Sequence, residues 1–418
     1  MLIGIDASRA NRNRKTGTEW YSYYLIRELA RLDENNQYIL YTDKPLTGGL
    51  ADLSLLTPET TAPIEFDGDY QIIKSPYNNF KAKVLSWPLR VFWTLGRLSL
   101  EMLQHAPDCL FVPAHTLPLI RPHKSIVTIH DIGFKRETDL YGSGRVAGVG
   151  GIINALALLI TGGRYGAGQV DYLDWSTAFA LKKAKKIITI SEFSKQEIKE
   201  VYKTPDKKLE VIYNGYDDNL YYPRQNNAIT KDVLNKYGIT QPFIFGVGRL
   251  EKKKNTVRLI EAFALLKTEH SSLPHQLVLI GSANYGFREV RQIISEYELS
   301  NEVILPGWVD EADMPIIYSA AEMFVFPSNY EGFGIPLLEA MACNTPIAAS
   351  KTASLPEIAC EAAVYFDPKN TREIAEKIAD VLLSAKLREK LVEAGAKRVK
   401  NFSWEKSAKA TLKIIENL

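Results

Sequence analysis

Cysteine is scarce in this chain of 418 residues: there are three, Cys109, Cys343 and Cys360. An odd number at such wide spacing fits neither a disulfide framework nor a metal-ligand pattern, and it predicts reduced thiols in a cytoplasmic protein. A surplus of one charge is missing too. The 51 Lys and Arg against 49 Asp and Glu leave a formal net charge of +2. That provides no general field for capture by nucleic acid, no nucleic-acid module is recognisable, and nucleic acid is not expected as a partner. The opening "MLIGIDAS" lacks the basic region, long apolar core and cleavage site of a signal peptide, and is expected to enter a strand at residue 2. The charge-free run 146–162, "VAGVGGIINALALLITG", is at the short limit of a membrane span and rich in glycine, which argues against a transmembrane helix.

What is present is ordinary globular composition, 46% hydrophobic and 24% charged, in a chain long enough for two large domains. Short β-branched runs at 2–6, 38–42, 125–131 and 186–191 alternate with longer helical patterns, the rhythm of parallel βαβ units. A second series follows at 243–250, 277–281, 303–307, 323–327 and 346–350. Between the two series the polar, turn-rich stretch 214–230 contains Pro223 and reads as a linker. The fold class is therefore α/β, with two doubly wound Rossmann-like domains. Ligands of such sheets bind beyond the carboxyl ends of the strands.

Two stretches lie at those ends in the second domain. In "NYEGFGIPLLEAMACNTP" (329–346), Pro336 suits a first helical turn, so a helix is expected to start near Ile335. Gly332 and Gly334 just before it allow backbone amides to approach a ligand, and a helix N-terminus attracts anions. Glu331 in the loop and Glu339 in the helix offer acceptor-only carboxylates suited to vicinal hydroxyls. Each also has a plainer reading, as a solvated loop charge or a favourable charge on the helix dipole. In "GVGRLEKKKN" (246–255), Gly248 precedes Arg249, a planar fork, and Lys254, a point charge, both matched to a diphosphate. Lys252 and Lys253 read as solvated.

Together these stretches resemble the glycosyltransferase family 4 pattern of the GT-B superfamily, over nearly the whole chain. The resemblance implies two Rossmann-like domains facing a central cleft: an acceptor-side domain over 1–220, rejoined by 403–418, and a donor-nucleotide domain over 221–402. It implies a retaining, mannosyltransferase-like enzyme that needs no metal or other cofactor. Arg249 and Lys254 would hold the donor diphosphate, Glu331 the donor sugar and Glu339 the ribose. Gly332, Phe333, Gly334 and Ile335 would line the donor site, with Gly248. The preferred donor is GDP-mannose, with a UDP-sugar as alternative, and the acceptor a glycan or lipid-linked saccharide. A sugar-nucleotide epimerase and a non-catalytic sugar-nucleotide-binding protein are the rival readings. The family commonly has glycine where Asn344 stands, and asparagine tolerates the same left-handed turn.

In the first domain Gly17, before a helical pattern starting near Thr18, resembles the family's first glycine loop; a mobile basic loop over Arg9 to Lys15 fits the residues equally. His130 and Asp131 end the strand "TIHD", and the resemblance makes His130 a positioning or transition-state contact to the donor sugar. Ser194 and Glu197 have the spacing of a capping box. Asp67 and Asp69 imitate a metal-binding Asp-x-Asp but read as a turn. The stretch 80–103 mixes Lys81, Lys83, Arg90 and Arg97 with Trp87, Phe92 and Trp93. It suits core packing or, as a basic amphipathic segment, peripheral contact with the inner face of the cytoplasmic membrane. The segment 141–172 reads as an acceptor-side insertion. Ser403 is expected to cap a last helix that returns to the first domain.

Overall fold

Apolar, β-branched runs that cannot be solvated on either face become the strands of two largely parallel sheets. The structure is a computed structural model, and it describes residues 1–54, 64–88, 92–141, 168–224, 227–240, 242–283 and 286–418. The run 146–162 and most of the expected insertion 141–172 lie outside the described residues.

The first sheet, among the described residues, contains β1 (Leu2–Asp6), β2 (Gln37–Thr42), β3 (Phe66–Asp67), β4 (Tyr70–Ile72), β5 (Phe80–Val84), β6 (Cys109–Val112), β7 (Ser125–Ile129), β8 (Lys186–Thr189) and β9 (Leu209–Val211). Its order is β3-β4-β5-β2-β1-β6-β7-β8-β9, with β4 antiparallel to both β3 and β5 near one edge and parallel pairing elsewhere. The second contains β10 (Phe243–Val247), β11 (Gln276–Ile280), β12 (Val303–Gly307), β13 (Met323–Phe326), β14 (Ile347–Ser350) and β15 (Ala363–Phe366). It is parallel, in the order β12-β11-β10-β13-β14-β15. The strand order reverses between β1 and β6 in the first sheet and between β10 and β13 in the second. A crevice for a ligand forms at such a reversal, because the connections leave on opposite faces.

Contacts divide the chain into two units, Met1–Arg136, Ser143–Asn214 and Trp404–Leu418 in one, Glu137–Gly142 and Gly215–Ser403 in the other. The division falls at 214/215 rather than 220/221. Tyr221 is buried with its ring 6.0 Å from that of Tyr318, and the Arg224 amide donates to Ser319 Oγ at 3.0 Å, so the second half of the expected linker packs on the second unit. The helix Asn227–Lys236 also starts inside that linker. The last helix, Trp404–Glu416, follows Ser403 and is grouped with the first unit. Trp404 stacks on Tyr24 at 5.5 Å, Tyr24 stacks on Trp20 at 5.3 Å, and Ser407 Oγ donates to the Tyr213 carbonyl.

Three local expectations are revised or resolved. The stretch 80–103 is not one continuous amphipathic segment: it opens as β5, and Lys83 packs inward to pair with the buried Glu101 at 2.6 Å. The alternation in "FKAKV" has the period of a strand, and the helix Ser99–Gln104 begins only later. Arg90 lies outside the described residues. Asp67 ends β3 and Asp69 follows Gly68, at φ +57°, in the tight turn into β4. Ser191, not Ser194, caps the helix Glu192–Tyr202, accepting from the Ser194 amide at 3.0 Å. Glu197 turns outward to Arg136 at 2.7 Å. Among the described residues no helix is long and apolar enough to cross a membrane.

Candidate functional site

Both motifs of the second unit sit at its reversal point, one loop leaving β10 and the other leaving β13. The first loop is set by two glycines in conformations that other residues resist. Gly248 has φ +138°, and a Cβ there would meet the Lys254 side chain at 3.1 Å, so the glycine lets that lysine lie across the loop. Gly281, at φ +148°, has no room for a Cβ, which would stand 1.9 Å from the Gly248 carbonyl oxygen. The Leu250 amide donates to Ser282 at 3.0 Å, fixing this loop to the end of β11.

The second loop is pinned from both sides. The Asn329 amide donates to the Lys253 carbonyl at 2.9 Å and its side-chain amide to the Lys252 carbonyl at 3.1 Å, which joins the two motif loops. From β14's side the buried Ser354 hydroxyl lies 3.0 Å from the carbonyls of both Glu331 and Phe333. Gly334, at φ +101°, leads into the helix Ile335–Ala342, which starts where Pro336 predicts; a Cβ there would lie 2.9 Å from Leu355. Phe333 is 3% exposed, with its ring packed on Phe402. Gly332 is buried beside it, and Ile335 is half-buried as the first residue of the helix. Asn344 adopts φ +59°, the left-handed turn expected of it.

These constraints bring Lys254 Nζ to 2.6 Å from Glu331 Oε1, with the ammonium 5.1 Å from the Phe326 ring centre. Burial opposes the charge on Glu331, but Lys254 and then Lys253 outweigh it and hold its carboxyl below the usual range. Glu339 is not part of that pair. Its Oε2 accepts from the Tyr318 hydroxyl at 2.8 Å, and burial pushes its carboxyl up to about 7 against that hydrogen bond. Arg249 is half-exposed, 3.6 Å from Glu251. A small recess is lined by residues that include Gly246, Gly248, Lys254, Thr256, Phe326 and Ser328. Among the described residues no group of His, Cys, Asp and Glu is arranged to hold a metal ion.

In the first unit His130 follows β7 and is 7% exposed. Its Nε2 donates to the Pro113 carbonyl at 3.1 Å, which puts the ring hydrogen there and leaves Nδ1 as acceptor. Burial lowers its pKa, so the imidazole is neutral at neutral pH. The Ser194 hydroxyl donates to the His130 carbonyl at 3.0 Å, and Asp131 accepts from the Gly133 amide at 2.9 Å. Gly17 opens the helix Gly17–Leu32; a Cβ there would meet nothing within 4 Å, so the folded chain does not itself require glycine. The basic loop before it is tethered: Arg9 lies 3.5 Å from Glu19, Arg12 lies 3.4 Å from Asp43, and Lys15 sits over Trp20. Asp6 is buried at the end of β1, accepting from the Ser8 hydroxyl at 2.6 Å and Thr94 at 3.2 Å.

Sequence reasoning missed Tyr318, Ser354 and Asn329 as supports of this site. Asn329 stood inside the quoted motif. Ser354 and Tyr318 are distant in sequence from what they hold and carry no local periodic signal.

Two doubly wound units, one carrying glycine loops, a lysine–glutamate pair and a second glutamate at its reversal point, define a GT-B protein. The chain belongs to glycosyltransferase family 4. A family model described as "Glycosyltransferase Family 4" matches residues 15–220 and one described as "Glycosyl transferases group 1" matches 231–398. The chain is 32% identical over 245 residues to O-antigen chain mannosyltransferase B of Escherichia coli, a match spanning 58% of this chain and 64%, less than two thirds, of that protein. It is 24% identical over 310 residues, 74% of each chain, to O-antigen chain mannosyltransferase RfbU of Salmonella typhimurium. The solved structure of sucrose-phosphate synthase from Thermosynechococcus elongatus shares the fold, with TM-score 0.70 at 18% identity over 100% of this chain and 98% of the other.

Proposed function

We propose that this chain is a retaining hexosyltransferase that moves mannose from GDP-mannose to a glycan or lipid-linked saccharide. The observation that carries the reading is the Lys254–Glu331 pair at the reversal point, held by two motif loops that hydrogen-bond each other. Similarity to two O-antigen chain mannosyltransferases supports mannose as the sugar.

In this reading Lys254 and Arg249 neutralise the donor diphosphate as it leaves, the charge work that a metal ion performs elsewhere. Amides of Gly332 to Ile335 line the phosphates, and Gly248, whose own amide donates to the Ile280 carbonyl at 2.9 Å, lets the backbone and Lys254 come close to them. Glu331 takes sugar hydroxyls and Glu339 the ribose. Gly17 and His130 belong to the sugar end, where the neutral imidazole accepts a hydroxyl hydrogen at Nδ1. The acceptor oxygen bonds to the anomeric carbon on the face from which the diphosphate departs, the carbon–phosphate oxygen bond breaks, and the acceptor proton passes to the departing diphosphate. No side chain serves as nucleophile. With a lipid-linked acceptor the protein would work against the cytoplasmic face of the membrane.

The test is turnover of GDP-mannose, UDP-glucose and UDP-N-acetylglucosamine with a lipid-linked saccharide, with and without chelator, with the anomer read by NMR. Chelator-insensitive α-transfer from GDP-mannose is the expected result. Transfer from a UDP-sugar would reassign the donor, chelator-sensitive turnover would remove the metal-free mechanism, and conversion of a sugar nucleotide without acceptor would identify an epimerase.

A further inference from the structure

Tyr318 lies in the helix Met314–Ala320, twenty-one positions before Glu339, with no part in the motifs. Its side chain is fully buried, yet its hydroxyl is given to one oxygen of Glu339 at 2.8 Å. Among the described residues no lysine or arginine pairs with Glu339, in contrast to Glu331 and its lysine. The phenol is fixed by its surroundings. Phe245 meets the Tyr318 ring edge-on at 4.7 Å, Phe324 at 5.5 Å and Tyr221 at 6.0 Å. Thr345 Oγ1 donates to the Tyr318 carbonyl at 2.7 Å, and the Thr345 amide donates to Ala340 at 2.9 Å. The Asn344 turn therefore ties the helix that carries Tyr318 to the helix that carries Glu339.

We infer that Tyr318 is a positioning residue for the nucleoside end of the donor, its hydroxyl holding Glu339 Oε2 so that Oε1 is kept for the ribose diol. The inference rests on the reading of Glu339 as the ribose contact. A carboxylate that shares one oxygen with a rigid phenol has lost its rotational freedom before the ligand arrives, and preorganisation of that kind strengthens a hydrogen bond without adding a contact. Tyr318 touches neither sugar nor phosphate in this account; it acts through Glu339.

The experiment is a binding cycle by calorimetry: wild type and Tyr318→Phe, each with GDP and with 2′,3′-dideoxy-GDP, repeated in a Glu339→Gln background. Phenylalanine keeps the ring contacts, and thermal melting confirms that each variant is folded. At pH 8, where Glu339 is ionised, wild type should prefer GDP by about tenfold, the size of one or two hydrogen bonds to a charged group, and Tyr318→Phe should cut that preference to about threefold or less. Glu339→Gln should abolish most of the preference and leave nothing for Tyr318→Phe to remove. A merely structural tyrosine would weaken both nucleotides equally. An undiminished ribose preference in Tyr318→Phe would overturn the inference, as would additive losses in the double variant or a wild type indifferent to the ribose hydroxyls. Failure of the wild type to bind GDP and UDP alike would instead overturn the proposed function.

Discussion

The ammonium of Lys254 and the carboxylate of Glu331 are both mostly shielded, at 21% and 12% side-chain exposure. Removing one therefore strands the other. Lys254→Ala should lower stability by about 2 kcal/mol, because an uncompensated, largely buried carboxylate remains. It should also lower kcat/KM by at least about 100-fold through loss of charge at the leaving diphosphate. Thermal melting and steady-state kinetics separate the effects, since Glu331→Gln added to Lys254→Ala should recover stability and not turnover. Glu339 makes a pH prediction of opposite character. Its carboxyl titrates at about 7 in the folded protein against a reference value of 4.5. Between these values the unfolded chain has released the proton and the folded chain retains it, so the stabilising contribution is complete below about 4.5 and is lost as pH rises through about 7. The melting temperature of the wild type relative to Glu339→Gln should fall from about pH 5 to about pH 8, and a pH-independent difference would contradict a raised Glu339.

At the scale of the loops, two glycines demand opposite outcomes. Gly281→Ala places a methyl group on the Gly248 carbonyl at a backbone angle that side chains avoid, and should cost about 2 kcal/mol or more of stability. Gly17→Ala enters open space at the first position of a helix and should melt within about 1 °C of wild type, since alanine is the better helix former. Any rise in donor KM it produces then reports on a ligand and not on the fold. The strands were the most legible elements, because a parallel strand buried on both faces must be apolar along its length. β5 was obscured by its lysines, whose charges are absorbed by Glu101 and by the Tyr70 ring, partners that no local pattern announces. The cap at Ser191 was obscured by a second serine three positions on. That second hydroxyl is engaged by the His130 carbonyl of another strand connection.

For the whole chain, the last helix is a structural member of the first unit. Deleting 404–418 would strip Trp404 from the Tyr24 and Tyr21 rings and leave the Tyr213 carbonyl without its Ser407 donor. The expected result is selective loss of the first unit's unfolding transition in calorimetry, with the second unit's transition kept; two units need not unfold as one. Equal loss of both transitions would contradict that assignment.

The sequence by itself determined the strand-and-helix rhythm and the start of the helix at Ile335, because both follow from local sterics and periodicity, while the left-handed turn at Asn344 and the recognition of the motif came from the resemblance to the family. Only the tertiary structure decided which of those residues meet. Lys254 reaches Glu331 because strand order places β10 beside β13, and Glu339 is left to Tyr318 because a separate helix brings a buried phenol there. The loop clamps of Ser354 and Asn329 and the ties of Tyr221 and Trp404 depend on contacts between segments far apart in sequence. Such contacts are fixed by packing and hydrogen-bond satisfaction across the fold, and local pattern carries no record of them.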